Sequence, residues 1–280
     1  MKLKMYMLLL ALGAAWGLQS CDNNDDESIP VPAELQNAFS SKYPNVAHVE
    51  WETKAGYYVA DFYDGYEASA WFTKDGKWKM TETDIPYTAL PTPVKKTFEA
   101  SKYATWKKDD VDKVERESYE TVYVIEVENK TEEVDLYYSE DGTLIKEMVD
   151  IDNDREDQYL PVQLTDAMKN FINEKYTDAT ILEVDVEKGY TEVDIRHDGK
   201  SKEVLFDKEG NWYSTSWEVR QSELPKPVKN TLSNQYNGYS FDEADYFEKP
   251  DGNNYYRIEL EKKGEQDFHI NIDMNGNILP

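Results

Sequence analysis

Apolar and polar positions change period repeatedly between residues 30 and 280. Leu35, Ala38 and Phe39 fall at the i, i+3, i+4 spacing, and Met168, Phe171 and Ile172 repeat it, so each triplet predicts one buried helix face. A proline ahead of each pattern suits a first helical turn, where the missing N–H has no partner to lose. Behind the helices the period drops to two. Leu182, Val184 and Val186 oppose Glu183, Asp185 and Glu187, and Val193 and Ile195 oppose Glu192 and Asp194. Tyr256, Ile258 and Leu260 oppose Tyr255, Arg257 and Glu259, and Phe268, Ile270 and Ile272 oppose Asp267, His269 and Asn271. Clean alternation predicts an antiparallel sheet with one buried and one wet face. The helices are the only other apolar elements, so they must roof the buried face.

The pattern is a repeat. Val31-Pro32, Leu90-Pro91, Leu160-Pro161 and Leu224-Pro225 each open a helical stretch. Each stretch closes on a tyrosine (Tyr43, Tyr103, Tyr176, Tyr236) and each unit ends at a turn glycine (Gly76, Gly142, Gly210, Gly276). From opening proline to closing glycine the distances are 44, 51, 49 and 51 residues. Self-similarity at one period means one supersecondary unit used four times. Trp78 follows the first turn and Trp212 the third, while Leu90 to Lys95 is nearly repeated by Leu224 to Lys229. The units therefore alternate in type, and the larger repeat is a pair. The expected fold class is α+β. Two tandem domains, 30–150 and 158–280, each hold two repeats of a helix and about three strands, with the helices on one face of an antiparallel sheet. The polar run Asp150 to Asp157 is the expected boundary.

The chain of 280 residues carries 57 acidic and 31 basic side chains, a formal net charge of -26. That charge leaves no basic footprint for nucleic acid. At 13%, the aromatic content is too high for a disordered chain. One cysteine excludes an internal disulfide framework and a cysteine-rich zinc site. Lys2 and Lys4 precede an uncharged apolar run, Met5 to Gly17, and then Leu18-Gln19-Ser20. The run is short of the ~20 apolar residues a spanning helix needs, so residues 1–20 read as an export signal. Cys21 follows directly, a placement that resembles a bacterial lipoprotein signal. The resemblance implies that Cys21 is lipidated and that the membrane is met only through this lipid, although Gln19 stands where a small or apolar residue is usual. Loss of Lys2 and Lys4 takes the mature net charge from -26 to -28. Residues 21–29 are polar and acidic and read as a flexible tether. The tract Asp22 to Ser28 also resembles a surface-export signal of the Bacteroides group; a plain spacer explains it as well.

The helix–strand units, the closing Asp-Gly turns and the tryptophan after them resemble the PepSY-like lipoproteins of the Bacteroides group, whose fold is similar to that of the β-lactamase inhibitor protein. The resemblance covers nearly all of residues 30–280. It implies a helix-backed antiparallel sheet, an exported location at the cell envelope, on its periplasmic or surface-exposed face, and no established catalytic residues.

Candidate chemistry is sparse. His48, His197 and His269 lie in three units at non-equivalent positions, with no paired nucleophile signalled. Glu126 and Glu128, Glu192 and Asp194, and Glu259 and Glu261 read as solvated strand faces. Asp150, Asp152 and Asp154 begin like a calcium loop, but Arg155 and Pro161 stand where the turn glycine and the bidentate glutamate belong. No cofactor, no metal site and no enzymatic activity are expected.

The aromatic residues are more informative. Tyr58, Ala60 and Phe62 align with the core-facing Thr191, Val193 and Ile195, which places Tyr57 and Tyr63 on the other face. Trp71 falls there as well. These three are the expected binding surface, because exposed tyrosine and tryptophan bury large area at small entropic cost; packing against a linker, the second domain or another copy is the competing expectation. The role expected is a non-enzymatic, lipid-anchored envelope protein that binds a protein or carbohydrate through its sheet faces. A regulator or inhibitor of an envelope enzyme is the alternative, and a hydrolase with a shielded carboxylate pair stands behind it.

Overall fold

A computed structural model describes residues 29–149 and 159–280. The signal, Cys21, all of the tether but its last residue, and the acidic run Asp150 to Asp157 lie outside the described residues.

The first half folds as α1 (Ala33–Lys42), β1 (Val49–Lys54), β2 (Tyr57–Tyr63), β3 (Glu67–Phe72), β4 (Trp78–Asp84), α2 (Thr92–Ala100), β5 (Lys107–Arg116), β6 (Val122–Glu128), β7 (Glu133–Ser139) and β8 (Leu144–Val149). The second repeats the order with α3 (Asp166–Lys175), β9 (Thr180–Glu187), β10 (Tyr190–His197), β11 (Lys200–Phe206), β12 (Trp212–Glu218), α4 (Lys226–Gln235), β13 (Ser240–Glu248), β14 (Tyr255–Glu261), β15 (Phe268–Asp273) and β16 (Ile278–Leu279). Short 3-10 turns, Tyr87–Ala89 and Gln221–Glu223, lead into α2 and α4. Each half is a helix-backed meander of eight strands, every strand pairing antiparallel with its sequence neighbour. This is the α+β repeat architecture the sequence predicts.

Each unit holds four strands rather than three. The fourth follows the turn glycine, and its period-two pattern is broken by a register shift: Trp71 pairs with Met80 but Phe72 pairs with Trp78. The same slip recurs at Phe206 and Trp212 and at Tyr138 and Leu144.

Each helix roofs its own four strands. Leu35 and Phe39 of α1 pack on Ala60, Phe62 and Phe72, and Val94 and Phe98 of α2 pack on Ile125, Leu136 and Tyr138. Met168 and Ile172 of α3 cover Val193, Val204 and Phe206, and Val228 of α4 covers Ile258 and Ile272. The sequence signature of the odd units is a hydrogen-bond device. Buried Thr81 shares its hydroxyl with Tyr43 and accepts from Trp78 Nε1 at 2.8 Å. Thr215 does the same for Tyr176, at 2.6 Å, and for Trp212, at 3.0 Å. Lys42 and Lys175 lie over the two indoles at 3.6 and 4.4 Å. One threonine thus satisfies two polar aromatic groups that would otherwise be buried unpaired.

The closing glycines of the even units are needed for a second reason besides their turn. Gly142 has φ +86°, and a Cβ there would lie 2.6 Å from the Pro93 carbonyl at the start of α2. Gly276 has φ +88° and would meet Pro227 at 2.8 Å. Only glycine combines that conformation with so close an approach. Pro32, Pro91 and Pro225 precede their helices as predicted, but α3 begins later, capped by Thr165, whose side chain accepts from Met168 N.

The predicted wet face of the first sheet is not wet. Val59, Trp71, Met80, Val114, Val122, Val124 and Tyr137 form a second core there, with Tyr159 buried among them and Leu160 packed alongside. Tyr159 meets Tyr137 ring to ring at 6.0 Å. The first sheet therefore has apolar packing on both faces, one side under its helices and the other under the chain that leads into the second half.

The two halves meet through the β5–β6 hairpin and the edge of β9. Arg116 Nη1 donates to both carboxylate oxygens of Glu183, at 2.9 and 3.0 Å, and Nη2 donates to the Leu182 carbonyl at 2.9 Å, with all three residues buried. Glu120 N donates to the Ile181 carbonyl at 2.7 Å, and the Tyr119 hydroxyl donates to the Val162 carbonyl at 2.8 Å.

Candidate functional site

The open face of the second sheet is built differently from its counterpart. Register pairing matches Val59 with Glu192, Asp61 with Asp194, Trp71 with Leu205 and Ser69 with Glu203. Along the next strands Met80 and Glu82 match Ser214 and Ser216, and Val124 matches Arg257. Three apolar groups of the first sheet, Val59, Met80 and Val124, are thus replaced on the second by Glu192, Ser214 and Arg257, and Ser69 is replaced by Glu203.

Glu192, Asp194, Glu203, Ser216 and Arg257 line a cleft of about 940 Å³ between the β8 edge and the second sheet. Ion pairs fix its near wall. Lys146 of β8 reaches Asp185 at 2.6 Å, and Arg196 joins Asp141 at 2.7 Å and Glu120 at 3.2 Å. At the floor, one carboxylate oxygen each from Glu192, Asp194 and Glu203 lie within 4.8 Å of one another. Ser216 donates to Glu203 at 3.2 Å. Among the described residues, no hydrogen bond or ion pair engages the side-chain carboxylates of Glu192 and Asp194.

The electrostatic consequence is large. Burial, then the negative charges of Glu192, Glu203, Asp185 and Glu183, push the Asp194 carboxyl up to about 8. Burial and Glu203 raise Glu192 as well. Further along the face, burial and Glu218 raise Asp245, with Arg257 opposing. A cation placed among these carboxylates would relieve the mutual repulsion that, after burial, raises their affinity for protons. Three oxygen donors at this spacing suit a hard cation, an ammonium or a guanidinium.

The histidines take no part. His48 is exposed near Glu50, His269 lies 4.0 Å from Glu259, and His197 accepts from Lys202 against the Tyr176 ring. The cluster itself comes from one hairpin, β10–β11.

The three aromatics expected to form a binding surface do share the face opposite the helices, but they differ in exposure. Tyr63 is 68% exposed at the end of β2. Trp71 is 3% exposed, inside the second core, and Tyr57 is half-buried against it at a ring distance of 6.0 Å. Trp71 is corrected from surface to core: strand alternation gives the face a side chain is on, while the segment that covers that face comes from elsewhere in the chain. The acidic cluster was legible only as two solvated strand positions. Asp194 and Glu203 are equally distant from the Asp198-Gly199 turn, and a two-residue hairpin pairs them.

Comparison with curated proteins finds no match. Solved structures resemble parts of the chain, among them three from Bacteroides species. A BLIP-like protein from Bacteroides fragilis is 36% identical, with 48% of this chain and 96% of that chain covered and a TM-score of 0.45. A DUF2874 family protein from Bacteroides ovatus is 31% identical over 43% of this chain and 89% of that one, with a TM-score of 0.41. Another from Bacteroides uniformis is 28% identical over 42% and 88%, with a TM-score of 0.40. A family model described as PepSY-like and beta-lactamase-inhibitor-like matches twice, over residues 56–146 and 189–280. Each match spans the greater part of one helix-backed sheet, so the chain belongs to the PepSY-like, beta-lactamase-inhibitor-like family and carries the family's unit twice.

Proposed function

We propose that the chain is a non-enzymatic envelope protein that captures a positively charged partner in the cleft on its second sheet. The observation that carries this reading is the cluster of Glu192, Asp194 and Glu203 on the floor of a wide cleft, with two of the three carboxylates unpaired among the described residues. The family description favours a protein partner, so the cationic group is a lysine or arginine side chain presented on a polypeptide. The first sheet supports the fold in this reading. Its face is filled by its own chain, and only its rim, at Tyr63 and the edge of Tyr57, is left to add contact area.

Export and anchoring rest on the sequence. The basic start, the short apolar run and Cys21 support a lipid anchor followed by an acidic tether, which holds the two sheets off the membrane. Among the described residues, no helix is long and apolar enough to cross a membrane.

The test is calorimetry with a tetralysine peptide, on the chain from residue 22 and on its Glu192→Gln/Glu203→Gln variant. Binding at low salt that weakens steeply by 0.15 M salt, where charges are screened over about 8 Å, and that falls at least tenfold in the double variant supports the reading. Absence of binding, or binding unchanged by the substitutions, overturns it. Residues 22–28, themselves acidic, are removed in a parallel sample so that binding to the tether is told apart from binding to the cleft.

A further inference from the structure

The second and fourth units differ on their helix-covered side around the 3-10 turn, where the fourth unit has a pocket. In the second unit, Tyr87 of the 3-10 turn lies edge-on to buried Phe98 at 5.8 Å, and its hydroxyl donates to Glu99 at 3.3 Å. Lys108 lies 5.0 Å from both rings. Two features fix the equivalence with the fourth unit. Lys95 donates to the Thr88 carbonyl as Lys229 does to that of Ser222, and the strand bulge after Lys108 recurs after Phe241. In that frame Tyr87 corresponds to Gln221, Phe98 to Leu232, Glu99 to Ser233 and Lys108 to Phe241. Two rings have become smaller side chains, and a cation has become a ring. The result is a pocket of about 480 Å³, walled by Leu232, Tyr236, Tyr239 and Phe241, with Gln221 and Ser233 also lining it.

We propose that this pocket binds a single hydroxylated aromatic ring, a phenol, in the place that Tyr87 fills in the second unit. The walls offer apolar surface and ring edges to an aromatic face. Gln221, Ser222 and Ser233 offer donors and acceptors to a hydroxyl, as Glu99 does for Tyr87. The volume lies within the range of small-molecule sites, and beside the apolar and aromatic walls the lining includes Lys229 and Asn237 as well as the three polar residues just named. The pocket shares no residue with the acidic cleft, so the two readings stand or fall separately. The same chemistry could arrive as a free phenol or as a tyrosine side chain of another polypeptide.

The experiment is an NMR titration of the chain, labelled at leucine methyls, with p-cresol, N-acetyl-tyrosinamide and 4-methylcyclohexanol. The proposal expects saturable shifts at Leu232 and Leu260 with p-cresol and not with the saturated ring. It expects at least a tenfold loss of affinity in Gln221→Tyr, which restores the side chain of the second unit. Leu232→Phe, read at Leu260, is the second filler should Gln221→Tyr not fold. Saturation by p-cresol alone identifies a free phenol, and saturation by both aromatic probes identifies a side chain that a polypeptide can present; either supports the proposal. No saturable shift, an equal response to 4-methylcyclohexanol, or affinity unchanged in folded filler variants overturns it.

Discussion

Asp61 and Asp194 hold the same position on the second strand of their sheets, yet Asp61 accepts a hydrogen bond from Ser69 at 2.6 Å while Asp194 faces Glu203 across the hairpin. Burial raises both carboxyls, but Ser69 opposes the rise at Asp61 and Glu203 adds to it at Asp194. Two exchanges, Val59 for Glu192 and the donor Ser69 for the acid Glu203, turn a satisfied strand position into the floor of an acidic cleft.

The buried position of Asp194 and its acidic neighbours set a pH dependence. Asp194 keeps its proton up to about pH 8 in the folded chain, against an ordinary value of 3.8. Between those two values the folded chain holds more protons than the unfolded one, so stability from this group is whole below about pH 4 and is lost as pH rises toward 8. Asp194→Asn should therefore stabilise the fold at pH 8 by on the order of 2 kcal/mol, after allowing for water in the cleft, and leave it unchanged at pH 4. Urea midpoints at the two pH values check this. Glu203→Ser, which restores the hydroxyl seen beside Asp61, should lower the Asp194 titration midpoint, read from its carboxyl carbon by NMR.

The pair Arg116 and Glu183 gives a second prediction. Both side chains are buried where the two halves meet, so removing one leaves an uncompensated charge. Glu183→Gln should cost about 3 kcal/mol in a urea melt, whereas Arg116→Met with Glu183→Leu should cost much less, because no charge remains to be desolvated. Equal losses in the single and double variants would mean that the pair contributes attraction rather than mere mutual neutralisation.

Gly142 carries a third. Its left-handed conformation costs an alanine about 1–2 kcal/mol, and the Pro93 carbonyl adds the strain of overpacking, ~1–3 kcal/mol. Gly142→Ala should thus lose roughly 2–5 kcal/mol, while Gly56→Ala, at φ +84° with open space around it, should lose only the conformational part. Equilibrium unfolding of the two variants separates close approach from backbone preference.

Much of this fold was legible in the sequence because its signals are local. Leu35 and Phe39 mark a helix face, Val193 and Ile195 a strand face, and Gly76 and Trp78 a turn with its following anchor. Trp71 was misplaced because alternation reports a side and not what covers it; Tyr159, far along the chain, closes that side. The fourth strand of each unit was hidden by the register slip at Trp78, which breaks the period that strands are read by. The cleft was hidden because Lys146 and Asp185 meet only after the two sheets are placed together.

The most direct test of the account is a map of where a cation lands. Backbone amide shifts recorded while tetralysine is added should move at Glu192, Asp194, Glu203 and Asp245 on the second sheet, and stay fixed at Val59, Trp71 and Val124 on the first. Shifts centred on the first sheet, or spread evenly over the acidic surface, would contradict it.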